Sequence, residues 1–229
     1  MVKGARNIPW RLIGFACLGV IALAGVGMLM GLVNQKDQQQ LCTSLKVMVE
    51  GKETFIDQHD ISNLINKKFG TVVGKNLDQI PVQQIEDALA ELPYVSKAEI
   101  YADMNGVLQV SVGQREVVLR VINKTGKEYY VDTKGAKIPV TLKYVPHVLV
   151  ANGNISEGYT KPLDSVETRL VYDLTRIVAH VKNDPLWSNQ IVQLYVNENK
   201  DIEIIPRVGN QELILGNADS LTQKLDRLV

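Results

Sequence analysis

The chain has 229 residues, with 25 Lys plus Arg balanced by 25 Asp plus Glu, and 45% of its residues are hydrophobic. A neutral, apolar-rich chain of this length is neither a disordered polyelectrolyte nor a protein with a basic footprint for nucleic acid. Its 2 cysteines exclude a disulfide-framed secreted scaffold.

The first predicted element is a membrane span. Leu12–Val33, LIGFACLGVIALAGVGMLMGLV, runs for 22 residues without a charge, and a helix rising about 1.5 Å per residue crosses a ~30 Å hydrocarbon core over that length. A cleavable signal would have an apolar region of about 7–15 residues ending in a small-residue site. Cys17 stands too early in the run for a lipoprotein attachment. Lys3, Arg6 and Arg11 precede the run without an acid, while Lys36 and Asp37 follow it. The positive-inside rule therefore predicts a cytoplasmic tail over 1–11, a span over 12–33 and the bulk of the chain outside. Without those three cations the remainder carries 22 against 25 acids, about −3. Gly27 and Gly31 form a G-x-x-x-G pair, a spacing suited to close helix packing in the bilayer.

NQKDQQQ then predicts a linker over 34–41. Leu45, Val47 and Val49 alternate as in a half-buried strand. Ile61, Leu64, Ile65 and Phe69 share a helical face, with Asp57 or Asp60 as cap. Pro81 opens a second helix striped by Ile85, Ala88, Leu89 and Leu92, and Pro93 closes it. Ala98, Ile100 and Ala102, then Leu108, Val110 and Val112, alternate around Asn105-Gly106, a hairpin signal. Residues 42–114 thus predict a β-α-α-β-β domain in which two helices cover one face of three strands.

From Arg115 the chain becomes strand-rich. VVLRVI, EYYVD and AKIPV are short strands, the last two joined by the turn Asp132–Gly135. Val166, Leu170, Leu174, Ile177, Val178 and Val181 predict one long helix, capped by Asp164 or Ser165 and followed by Pro185. IVQLYV, DIEIIPRV and ELILG are further strands, and Leu221, Leu225 and Leu228 begin an amphipathic helix. Residues 115–229 predict a β-rich α/β domain. The fold class is α+β with one transmembrane helix.

Little in the chain points to chemistry. His59, His147 and His180 lack metal-ligand spacing, no G-x-S-x-G elbow is present, and Glu86 and Asp87 are adjacent on a helix and read as solvated surface. No catalytic, metal or cofactor residue is expected. Arg115, Glu116 and Arg120 lie at the join of the two domains, where ion pairs would fix their angle or edge charges would discourage aggregation. Asn123-Lys124-Thr125 and Asn154-Ile155-Ser156 match a glycosylation pattern that has no meaning in a bacterium.

A basic tail, one span, a β-α-α-β-β domain, and then ELPYVSKAEI, REVVLRV, YYVDTKGAKIP and IIPRVGNQELILG in that order: the chain resembles the bacterial cell-division family FtsQ, called DivIB in Gram-positive bacteria. The resemblance covers nearly the whole chain. It implies a first domain of the POTRA type, a second called the β domain, and a non-enzymatic scaffold linking early and late division proteins at the septum. It implies partners of the FtsB and FtsL type, with FtsK and the FtsW/FtsI synthase pair beside them, and no cofactor. It also implies residence in the inner membrane with the bulk of the chain in the periplasm. The other readings are a membrane-anchored envelope chaperone and a cell-wall enzyme. Members of the family look longer, with a closing strand after the final helix that is a main contact for FtsB, so a C-terminal truncation is expected. An exposed strand edge accepts an incoming peptide through main-chain hydrogen bonds. The expected partner-binding residues are Ile202, Ile204, Leu213, Leu215, Leu221 and Leu225.

Overall fold

The computed structural model describes residues 18–21, 23–28, 30, 40–209 and 211–228. The expected cytoplasmic tail, span residues 12–17, 22, 29 and 31–33 (Gly31 among them) and linker residues 34–39 lie outside the described residues. Residues 18–21 and 23–28 are helical, and Gly27 has no atom within 4 Å of where a Cβ would stand. Among the described residues no helix is long and apolar enough to cross a membrane.

The first domain runs β1 (Ser44–Glu50), α1 (Gln58–Phe69), α2 (Val82–Ala90), β2 (Val95–Ala102) and β3 (Val107–Gln114). Asp57 caps α1 and Asp60 answers it, each carboxylate accepting from the other residue's backbone N–H at 2.9 Å. The apolar stripe of α1 then buries Ile61 and Ile65, and that of α2 buries Ile85, Ala88 and Leu89. Both stripes pack on Leu108, Val110 and Val112, the inward positions of the central strand. The sheet order is β1-β3-β2, with β1 parallel and β2 antiparallel to β3. Glu86 departs from the solvated-surface expectation. Its Oε1 accepts from the backbone N–H of Ile100 at 2.7 Å, which pins α2 to the outer edge of β2.

The second domain is a seven-stranded sheet in the order β10-β9-β8-β7-β4-β5-β6. Its strands are β4 (Val117–Ile122), β5 (Glu128–Asp132), β6 (Lys137–Pro139), β7 (Leu149–Gly153), β8 (Ile191–Val196), β9 (Ile202–Pro206) and β10 (Leu213–Gly216). Its helices are α3 (Arg169–Asn183), α4 (Pro185–Gln190) and α5 (Leu221–Asp226). Three features differ from expectation. Strand β7, in the middle of the sheet, has no counterpart in the sequence reading. Helix α3 starts later, with Thr168 as cap, because Val166 is held outside it by donating its N–H to Gly135 O at 2.9 Å. And Pro185 does not merely follow a helix; it opens α4, whose first N–H groups are capped by Asp184.

The position of Thr168 is fixed by a buried ion pair. Lys137 Nζ lies 2.9 Å from Glu157 Oε1, with both side chains buried. Glu157 also accepts from the backbone N–H groups of Glu167 and Thr168 at 2.8 and 2.9 Å, and from the Thr168 hydroxyl. Burial pushes the Glu157 carboxyl up, but these bonds outweigh it and hold the group below its usual range. The charge is thus spread over donors at the start of α3.

The domains meet at an aromatic seam. Successive residues of a strand point to opposite faces. Tyr129 on β5 accordingly joins the core under α3, while Tyr130 joins Phe55, Val117 and Ile138 between the domains. Phe55 stacks on Tyr94 at 5.0 Å between ring centroids and meets Tyr144 edge-on at 5.0 Å. Tyr94 donates its hydroxyl to Pro139 O at 3.3 Å. Lys143 crosses the seam to Asp57 Oδ2 at 2.8 Å and to Asp60. That contact, with the backbone N–H of Asp60, holds the Asp57 carboxyl down at about 2. The ion pairs of Arg115, Glu116 and Arg120 do not bridge the domains, although the Arg115 N–H donates to Tyr94 O at 2.8 Å. Their side chains pair with Asp132, Lys182 and Glu128, all within the second domain.

Candidate partner-binding surface

The sheet of the second domain ends in β10, which is hydrogen-bonded to β9 alone among the described residues. Its register with β9 and β8 places Ile214 beside Glu203, Glu203 beside Tyr195, and Tyr195 beside Asn152. The intervening row, Leu213, Ile204, Leu194 and Ala151, faces the helices. Period-two alternation therefore sorts this end of the sheet into a buried row and a solvent row. In the solvent row Ile214 is 67% exposed and Tyr195 39%.

Of the six residues expected from sequence, Ile202, Ile204, Leu215, Leu221 and Leu225 are buried in the domain core, and Leu213 is partly buried against it. Ile202 and Ile204 lie on β9, which is paired on both sides and has no free edge. The structure does bring all six together, as the wall behind the edge strand. Ile214 and Tyr195, the side chains that do reach solvent, escaped the sequence reading. Their signal was present in the alternating phase of ELILG and IVQLYV.

Helix α5 folds back beside β10. Leu221 and Leu225 anchor it in the core. Arg169 Nη2 holds Asp219 at 3.0 and 3.2 Å. Lys224 Nζ donates to Leu215 O at 2.9 Å and to Asn217 O and Oδ1 at 3.0 Å. A carbonyl at the end of the edge strand is thereby occupied by a side chain, a device that blunts an edge against unwanted pairing.

A second concavity, about 390 Å³, opens near the ends of β4, β7 and β8 and is lined in part by Glu53, His147, Lys182, Ser188 and Arg207. Ser188 donates its hydroxyl to Pro185 O at 3.3 Å rather than to His147, so the groove assembles no nucleophile and base pair. His59 lies on α1, His147 before β7 and His180 on α3. Among the described residues no group of His, Cys, Asp or Glu is placed to hold a metal ion.

Two family models match the chain. One, described as FtsQ/DivIB, C-terminal related, covers residues 116–229. The other, a POTRA-like domain, covers residues 40–113. No curated protein matches the chain in sequence.

Proposed function

The chain belongs to the FtsQ/DivIB family of cell-division proteins, and from that premise we propose that it is a membrane-anchored, non-enzymatic scaffold whose β10 edge receives a strand from a division partner. The observation that carries this reading is the edge itself: among the described residues one side of β10 is unpaired, and Ile214 on that strand is exposed. A strand added there gains main-chain hydrogen bonds, and the exposed row supplies side-chain contacts. Partners of the FtsB and FtsL type occupy this edge, and FtsK and the FtsW/FtsI pair engage the first domain and the span. The span is residues 12–33, the tail is cytoplasmic, and the two folded domains stand in the periplasm at the septum.

The test is calorimetric titration of the full chain, in detergent or nanodiscs, with the extracytoplasmic segment of an FtsB-type partner. Ile214→Glu places a charge on the edge without touching the core, so folding persists while affinity falls at least tenfold, about 1.4 kcal/mol. Equal affinities for the variant and the native chain would move the partner site elsewhere.

A further inference from the structure

The first domain carries exposed apolar side chains at the end where the chain enters it. Residues 40–43 are clamped between two loops. Cys42 donates its N–H to Lys75 O, and Gly74 donates to Cys42 O, both at 2.8 Å. On the other side Thr43 donates to Gly106 O at 2.8 Å, and Gln40 Nε2 donates to Met104 O at 2.8 Å. This clamp brings Leu41, Val73 and Met104 to one end of the domain. They are 54%, 45% and 95% exposed, and Tyr101, also exposed, stands on β2 just before the Met104 turn.

The charges at this end are mostly cationic. Lys46 and Lys75 are exposed there, and Lys67 and Lys68 lie in the last turn of α1, whose final carbonyl at Phe69 accepts from Lys75 Nζ at 3.1 Å. Asp103, an acid at this end, is committed to its own turn, where its Oδ1 accepts from the backbone N–H groups of Asn105 and Val107 at 2.8 and 3.0 Å. Glu91 faces Lys68 at 3.7 Å, and Asp78 follows in the turn beyond Lys75.

Chain length says what covers this end. Seven steps separate Val33, the last residue of the uncharged run, from Gln40, and at full extension they reach roughly 25 Å. We propose that this end of the first domain rests on the lipid bilayer, with Met104, Leu41 and Val73 in the interfacial region and the lysines on headgroup phosphates. A tyrosine beside apolar side chains and flanking lysines is the composition that interfaces favour. The proposal rests on the reading of residues 12–33 as a bilayer span. It makes the first domain a foot that fixes the height and tilt of the β10 edge above the membrane.

The experiment places a nitroxide at Met104→Cys in the full chain carrying Cys17→Ser, reconstituted at one copy per nanodisc of phosphatidylglycerol. Cys42 is buried and stays unlabelled. A second label at Leu142→Cys, on a fully exposed residue of the second domain, is the aqueous reference. The ratio of oxygen to nickel-chelate accessibility is expected to be severalfold higher at 104 than at 142. Equal ratios overturn the proposal, including the case where the patch instead meets protein in the cell. Flotation with vesicles after an alkaline wash separates the two readings. A chain that fails to float refutes the span, whereas one that floats with an aqueous label at 104 refutes the bilayer contact alone.

Discussion

Phe55 belongs to neither domain's own core, yet it is 2% exposed. Its ring contacts Tyr94 in the first domain, and Tyr144 and Tyr130 in the second, at centroid distances of 5.0, 5.0 and 6.1 Å. Phe55→Ala removes all three at once. Truncating a buried Phe costs about 3–5 kcal/mol, and the paired-ring geometries contribute ~0.5–1.5 kcal/mol each within it. Because the two domain cores lose nothing, this cost falls on their coupling. In calorimetry of the full chain the native protein should therefore show one cooperative transition and the variant two, with the first domain melting earlier. Trp187, buried in the second core, should report the later transition by fluorescence. Phe55→Leu, which keeps much of the volume, should recover most of the loss. A loss below about 1 kcal/mol with a single unchanged transition would show that the seam is not held by this ring.

Leu89→Ala, at a fully buried site under α2, should lower first-domain stability by about 2–5 kcal/mol in denaturant titration; an unchanged midpoint would contradict the packing. Lys137→Met leaves Glu157 buried without its cation, and about 3–5 kcal/mol of second-domain stability should go with it in denaturant titration; an unchanged midpoint would mean that the donors at the start of α3 hold the carboxylate by themselves. Asp57 has its folded pKa lowered to about 2 from 3.8, so its contribution is present above the unfolded value and is lost as pH falls from about 4 towards 2. Asp57→Asn should flatten the melting-temperature profile in that window, and a variant keeping the native acid limb would mean that Lys143 does not hold the carboxylate.

The first domain was legible because each of its elements keeps a clean period, 2 in the strands and 3.6 in the helices, and because Asp57, Pro81 and Gly106 punctuate them. Strand β7 was not legible, since Leu149–Gly153 ends in Ala-Asn-Gly and is a strand through its place between β4 and β8. The start of α3 was misplaced because Val166 fits the helical face, while long-range bonds from the β5–β6 turn keep it out of the helix. Pro185 fits a residue that follows a helix, yet with Asp184 as cap it is the first residue of the next one. At the end of the second sheet, five of the six residues expected to bind a partner lie in the core and Leu213 is partly buried against it. Hydrophobicity drives these isoleucines and leucines inward, and the exposed Ile214 sits one position out of phase.

The parallel pairing of β1 with β3 has a mechanical consequence. The chain enters β1 at Ser44 and leaves β3 at Gln114 towards the second domain, and seven residue pairs, from Ser44 with Val107 to Glu50 with Gly113, join the two strands. A pull on the chain ahead of Ser44 against the second domain therefore draws the strands along their axes in opposite directions. Under that load the pairs share the force and must yield together, whereas an antiparallel hairpin pulled at its open ends gives way one pair at a time. The first domain is built to carry tension.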